Sequence, residues 1–118
     1  MLRCLLIDDS EEFLASAARL LESQGIDVVG CATRRSEALE LAASLVPDVA
    51  LVDIELADED GIVLARELAA RTPSTRIVLI SAYDRDELSE VIAGSPAAGF
   101  LSKRDLGLDG ITRLVSVD

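Results

Sequence analysis

Five polar side chains of this sequence each follow a short apolar run, and together they suit metal or phosphate chemistry. Asp8 and Asp9 follow the first run, Asp53 the third, Ser81 the fourth and Lys103 the fifth. If the runs are parallel strands of one sheet, ligands bind outside their carboxyl ends, where these side chains would meet. A single acid after a strand is ordinary, because such acids often cap the next helix. Five polar groups at equivalent places instead predict a shared site.

The three carboxylates of this set predict a cation site. Carboxylates a few ångströms apart repel one another, and at least one pKa would rise unless a cation neutralises them. The chain has no histidine and no cysteine beside these acids, so the ligands on offer are oxygens. Oxygen ligands suit a hard cation, and Mg²⁺ is the best candidate because it keeps several waters and leaves room for a phosphate oxygen.

Lys103 and Ser81 suit the binding of a phosphoryl group. Lys103 is the only lysine among 11 basic residues, which indicates that a compact ammonium is needed there, although codon usage is an alternative explanation. Such an ammonium reaches a phosphoryl oxygen or a carboxylate as a point charge. The Ser81 hydroxyl can hydrogen-bond a transferred phosphoryl group, and a helix N-cap is the ordinary alternative.

The elements that must position these residues alternate along the chain. Nearly continuous apolar runs predict strands at 4–7, 26–31, 49–52, 76–80 and 98–101. Helical spacing predicts five helices. The first begins after Ser10 and ends at Gly25, and the second begins at an N-cap Ser36 and ends at Pro47. The other three cover about 62–72, about 84–93 and, weakly, about 108–115. The predicted fold class is α/β, a doubly wound parallel sheet with helices on both faces and right-handed crossovers, in one domain over residues 1–118.

Composition excludes several classes of function. A net charge of −11 argues against direct nucleic-acid binding and against binding to an anionic membrane, because phosphates repel it. The longest apolar run is too short to cross a bilayer, and Asp8 comes too early for a secretory signal. Cys4 and Cys31 lie in apolar stretches outside any C-x-x-C spacing, so we expect two buried, reduced thiols in a cytoplasmic protein.

The motifs that carry these residues resemble the receiver domain of two-component response regulators from end to end. They read LLIDDS (5–10), VDIEL (52–56), DG (60–61), ISA (80–82) and GFLSK (99–103). The resemblance implies a flavodoxin-like, five-stranded sheet of order 2-1-3-4-5 with about five helices. It implies that Asp53 is the phosphoacceptor and that Mg²⁺ is held by Asp8, Asp9, Asp53 and the main-chain carbonyl of Glu55. It also implies that Ser81 and Lys103 bind the phosphoryl oxygens.

The resemblance further implies a switch and its partners. Ser81 would move toward the phosphoryl group, and Phe100 would fill the space left behind, with plain core packing as the alternative for Phe100. The surface formed by the fourth helix, the fifth strand and the last helix would change. The expected partners are a sensor histidine kinase or phosphotransfer protein, an output domain or downstream protein on that surface, and a second copy in a homodimer. Whether this is a free-standing receiver or a part of a longer regulator stays open.

Two other functions compete with the phosphorylation switch, which phosphorylates itself and turns over no external substrate. A pseudo-receiver would keep the fold as an interaction module without phosphorylation. It gains some support because the family's usual Lys-Pro, with a cis bond, is here Lys103–Arg104, and a cis bond without proline is costly. A Mg²⁺-dependent phosphohydrolase is less favoured, because such enzymes usually carry the nucleophile and a second acid two residues apart after the first strand.

Overall fold

The five strands and four of the five predicted helices lie close to where the sequence pattern predicts them. The structure is a computed structural model that describes residues 1–56, 58–82, 90 and 92–115. The strands are β1 (Arg3–Ile7), β2 (Asp27–Ala32), β3 (Val49–Asp53), β4 (Arg76–Ser81) and β5 (Gly99–Ser102). The helices are α1 (Glu11–Ser23), α2 (Arg35–Leu45), α3 (Gly61–Arg71) and the C-terminal helix (Leu108–Val115).

The strands form one parallel sheet in the order β2-β1-β3-β4-β5. This order confirms the doubly wound, flavodoxin-like prediction. Successive residues of a strand point to opposite faces, and both faces are covered. In β1, Leu5 and Ile7 join the core under α2 and α3, while Cys4 and Leu6 join the core under α1 and the C-terminal helix. Burial on both faces explains why the strands read as continuous apolar runs.

The first two helices begin differently from one another. Ser10 caps α1, because its Oγ accepts a hydrogen bond of 3.1 Å from the Phe13 N–H. The prediction that Ser36 caps α2 is wrong: α2 begins at Arg35, one residue before that serine. No side chain caps this helix at Arg34; instead the Glu37 side chain, in the first turn, reaches back and accepts a 2.9 Å hydrogen bond from the Thr33 N–H.

The acidic loop after β3 makes specific contacts with two helices. Glu55–Leu56 and Glu59–Asp60 pair as a short antiparallel ribbon. The Glu59 side chain accepts a 2.7 Å hydrogen bond from the Arg35 N–H at the start of α2, and the Asp60 side chain caps α3 by accepting 2.8 Å from the Ile62 N–H. The loop therefore joins β3 to two helices.

Cys31 does not follow the prediction of a buried thiol. Its side chain is exposed on β2, which is an edge strand of the sheet. Cys4 is buried as expected, and burial raises the pKa of its thiol to about 12.

The C-terminal third is described in part. The predicted helix at about 84–93 lies mostly outside the described residues, but its end is visible, since the Gly94 N–H donates to the Glu90 carbonyl at 3.2 Å. No cis peptide bond occurs in the described ranges, and Lys103–Asp105 form a single 3₁₀ turn after β5. Within the part of the chain that the structure covers, no helix has the length and apolarity to span a membrane.

Candidate functional site

The carboxyl ends of four strands meet at one edge of the sheet. Asp53 closes β3 and pairs in register with Ile80 of β4, and the next residue, Ser81, pairs with Ser102 of β5. Asp8 follows β1 directly, and its N–H donates to the Ala32 carbonyl of β2 at 3.0 Å. Lys103 follows β5. The parallel register therefore places all the predicted polar residues at this edge.

Two buried carboxylates, those of Asp8 and Asp53, are held by the backbone that follows them. One oxygen of Asp8 accepts 2.9 Å from the Ser10 N–H, and one oxygen of Asp53 accepts 2.9 Å from the Glu55 N–H. Each acid thus uses one oxygen in a turn with the residue two positions later. The other oxygen of each is left to face the centre of the site.

The Lys103 ammonium lies between these two remaining oxygens. Its Nζ is 2.7 Å from Asp8 Oδ2 and donates to Asp53 Oδ2 at 3.3 Å. Asp8 Oδ2 is buried and receives no hydrogen bond of good geometry from the described chain, so its contact with Lys103 is an ion pair without an aligned donor. That buried oxygen has capacity for a further ligand.

The donor set fits a hard cation. Asp8, Asp9 and Asp53 each offer one carboxylate oxygen, and the three oxygens all lie within 4.8 Å of one another. Asp9 is exposed, so the cluster opens to solvent on its side. All three donors are carboxylate oxygens, which is the chemistry that Mg²⁺ and Ca²⁺ prefer.

Burial and nearby charges shift the pKa values of Asp53 and Lys103. Burial is the main cause that raises the pKa of Asp53 to about 6; the nearby Asp8 charge adds to this, while the Glu55 N–H and Lys103 oppose it. Burial disfavours the charge of Lys103, but its pairing with Asp8 and the charges of Asp53 and Asp8 outweigh that effect and raise the pKa of Lys103 above its ordinary value. At neutral pH the Lys103 ammonium therefore faces a mostly ionised Asp53 carboxylate.

Three further predicted residues take different places. Ser81 is fully buried at the end of β4. The Glu55 side chain is exposed, and its backbone N–H fixes Asp53, while a metal role for its carbonyl stays a prediction. Phe100 of β5 is half-buried, pairs in register with Leu79 and packs against the core under α2 and α3.

Two residues make contacts at the site that the sequence did not predict. The Phe13 ring lies under Lys103, with Nζ 4.4 Å from its centroid, although helical spacing marks Phe13 only as core. Gly61 lies against the backbone of the phosphoacceptor candidate: a Cβ at Gly61 would stand 1.9 Å from the Asp53 carbonyl oxygen. The motif DG (60–61) contains this glycine, but the motif does not show that its backbone lies against Asp53.

Comparison with known families identifies the kind of domain that carries this site. The family described as "Response regulator receiver domain" matches residues 4–112, nearly the whole chain. This chain belongs to that family. Response regulator receivers are the receiving modules of two-component signalling systems, and the predicted resemblance is confirmed.

Curated relatives of this receiver are longer proteins. It is 35% identical over 112 residues to the DNA-binding transcriptional activator DevR/DosR of Mycobacterium tuberculosis, covering 92% of this chain and 51% of that protein. It is 38% identical over 112 residues to a protein-glutamate methylesterase/protein-glutamine glutaminase of Alkalilimnicola ehrlichii, covering 92% of this chain and 28% of that protein. The receiver thus spans about half of the first relative and less of the second.

Solved structures share the fold over nearly the full chain. A response regulator of Burkholderia pseudomallei, solved with a phosphorylated aspartic acid, a calcium ion and citrate, has a TM-score of 0.84 at 26% identity, covering 99% of this chain and 68% of that one. A CheY-like receiver domain protein of Methanospirillum hungatei has a TM-score of 0.83 at 26% identity, covering 98% and 94%.

Proposed function

We propose that this receiver is a phosphorylation switch in which Asp53 accepts a phosphoryl group from a sensor histidine kinase or a phosphotransfer protein. The observation that carries the proposal is the position of Lys103, whose Nζ lies 2.7 Å from Asp8 Oδ2 and 3.3 Å from Asp53 Oδ2. A cation between two buried acids leaves an oxygen of Asp53 beside a positive charge. The phosphorylated aspartic acid of the similar Burkholderia pseudomallei protein supports the same chemistry.

The transfer needs no proton from the protein. A carboxylate oxygen of Asp53 forms the new bond to phosphorus, the bond from phosphorus to the donor nitrogen or oxygen breaks, and its electron pair stays with the donor. With a pKa of about 6, the Asp53 carboxyl is mostly ionised at neutral pH and ready to attack. Lys103 offsets charge on the phosphoryl oxygens, and the Ser81 hydroxyl donates to one of them.

The carboxylates of Asp8, Asp9 and Asp53, with the main-chain carbonyl of Glu55, would hold Mg²⁺. The fit rests on three carboxylate oxygens within 4.8 Å of one another and on the buried Asp8 oxygen that lacks an aligned donor. When bound, Mg²⁺ supplies positive charge that offsets the acids and the transferred phosphoryl oxygens.

The readout follows from the new charge at Asp53. Ser81 moves toward the phosphoryl group, Phe100 turns into the space behind it, and the surface of the fourth helix, β5 and the C-terminal helix changes. That surface would contact an output domain, a downstream protein or a second copy of the chain. We place the receiver in the cytoplasm, with no nucleic-acid or membrane contact of its own and no external substrate turned over.

Intact mass spectrometry tests the proposal. The protein is incubated with acetyl phosphate, with Mg²⁺ or with a chelator, beside Asp53→Ala and the matched control Asp58→Ala, an exposed acid of the same loop. We expect one phosphoryl adduct that requires Mg²⁺, is lost in Asp53→Ala and is kept in Asp58→Ala. Absence of an adduct in the unmodified protein would favour the pseudo-receiver, and steady turnover of p-nitrophenyl phosphate would favour the phosphohydrolase.

A further inference from the structure

Among the described residues, three groups contact the Lys103 ammonium, and one of them is aromatic. Besides the Asp8 and Asp53 oxygens at 2.7 Å and 3.3 Å, the centroid of the Phe13 ring lies 4.4 Å from Nζ. The face of an aromatic ring carries partial negative charge and attracts a cation at this distance. The ammonium is therefore held from the side of α1 as well as from the two acids.

The position of the Phe13 ring is coupled to the position of the acids. The Phe13 N–H donates to Ser10 Oγ at 3.1 Å, and the Ser10 N–H in turn donates to Asp8 Oδ1 at 2.9 Å. The ring is half-buried and packs against the core under α1. One six-residue segment, 8–13, thus supplies both an acid and the ring that meet Lys103.

The Lys103 side chain needs such a support. Its stem is long and flexible, and 23% of the side chain is exposed, so solvent-facing rotamers compete with the one that reaches the acids. Packing alone would be satisfied at position 13 by an aliphatic side chain. A ring whose face meets the ammonium also limits where Nζ can go.

We propose that Phe13 is a positioning residue for phosphoryl transfer: its ring holds the Lys103 ammonium against the Asp8 and Asp53 oxygens. The effect on transfer rests on the proposed function, whereas the contact itself does not. Phe13 forms and breaks no bond. Without the ring, Lys103 spends less time at the Asp53 oxygen, and the transfer slows.

The single lysine of the chain allows the contact to be read directly. With lysine labelled with ¹³C at Cε, the protein gives one Cε signal. We expect the attached protons to be shifted upfield by the ring in the unmodified protein and in Phe13→Tyr, and to return to the position of an exposed lysine in Phe13→Leu. Phe13→Met is the second aliphatic variant, used if Phe13→Leu unfolds. An unchanged lysine signal in the folded aliphatic variant would overturn the proposal.

Rates of adduct formation at saturating Mg²⁺ then test the consequence. We expect Phe13→Leu to slow phosphorylation about three- to tenfold, the range of a partly exposed cation–π contact. Phe13→Tyr keeps the ring and should keep the rate of the unmodified protein. Leu20→Ala, an exposed apolar change on the same helix, is the control and should keep the rate.

A lysine-free background separates positioning from general damage to α1. In Lys103→Met we expect Phe13→Leu to change the residual rate less than twofold, because the ring has no ammonium left to hold. An equal loss in both backgrounds would contradict positioning through Lys103. If the unmodified protein takes no phosphoryl group, the proposed function fails, and the lysine signal still decides whether the ring holds the ammonium.

Discussion

The strands that carry the acids are more deeply buried than the strand that carries Lys103. All five residues of β3 and four of the five in β1 are buried, whereas three of the four in β5 are only partly buried. Closely packed strands resist displacement, and regions with less buried apolar contact open more easily. The difference assigns the fixed part of the site to the acids and the adjustable part to Lys103 and Phe100.

The backbone contacts of the two regions differ in the same way. Gly61 lies against the Asp53 backbone so closely that no side chain fits. In the C-terminal helix, by contrast, a Cβ at Gly110 would meet the end of the Leu101 side chain at 3.0 Å, and a side-chain end can turn away. The glycine beside Asp53 is thus confined by backbone atoms, whereas the glycine beside β5 is confined mainly by a side chain.

The largest effect expected from this comparison comes from Gly61→Ala. Its Cβ would stand 1.9 Å from the Asp53 carbonyl oxygen, so the loop after β3 must move. We expect the free energy of unfolding to fall by about 3 kcal/mol and the phosphoryl adduct to be lost. Urea unfolding of this variant beside Gly110→Ala, expected within about 1 kcal/mol of the unmodified protein, is the measurement. Similar losses in both variants would remove the distinction between the regions.

Asp53→Asn tests how much the buried charge of Asp53 destabilises the folded protein. The folded-state pKa of about 6 exceeds the ordinary 3.8, so between these pH values the folded protein binds more protons than the unfolded one. The contribution of Asp53 to the free energy of unfolding therefore falls as pH rises from about 4 to about 6. In a chelator, we expect Asp53→Asn to lack this fall and to be more stable at pH 7 by about 1–3 kcal/mol.

Urea unfolding from pH 4 to pH 8 measures this effect, with Asp58→Asn as the control because Asp58 is an exposed acid of the same loop. The control should keep the pH dependence of the unmodified protein. An Asp53→Asn protein that is less stable than the unmodified protein at pH 7 would contradict burial as the cause of the raised pKa of Asp53.

The smallest of these effects concerns the C-terminal helix alone. The Gln24 side chain, at the end of α1, accepts a 2.6 Å hydrogen bond from the Leu108 N–H and so caps a helix 84 positions away. We expect Gln24→Ala to cost about 0.5–2 kcal/mol and to speed hydrogen exchange in residues 111–115, while Gln24→Glu keeps the acceptor. The rate of phosphorylation should not change. A slower transfer in Gln24→Ala would show that the two regions are not separable in this way.

Local pattern was sufficient to predict the strands and the positions of most candidate site residues at the sheet edge. The four residues 49–52 are apolar because both faces of β3 are covered, and the acid that follows them reaches the sheet edge by register. The same logic placed Asp8, Ser81 and Lys103. These inferences need only the period of a strand and the rule that parallel strands end at one edge.

Contacts between distant elements account for what the pattern missed. The acceptor for the Arg35 N–H is Glu59, 24 positions away, so the ordered ribbon could not be inferred from the acidic loop itself. The exposure of Cys31 depends on which strand lies at the sheet edge. Phe13 has the spacing of a core residue, and only the folded chain shows that its ring meets the lysine.

The most direct test of the whole account is a comparison of backbone amide chemical shifts before and after addition of beryllium fluoride with Mg²⁺. Beryllium fluoride mimics a phosphoryl group on a carboxylate. We predict saturable changes that depend on Asp53 and are larger across residues 99–115 than across residues 27–45. Changes of equal size in both ranges, or changes that persist in Asp53→Ala, would contradict a fixed acid edge that acts on an adjustable β5 surface.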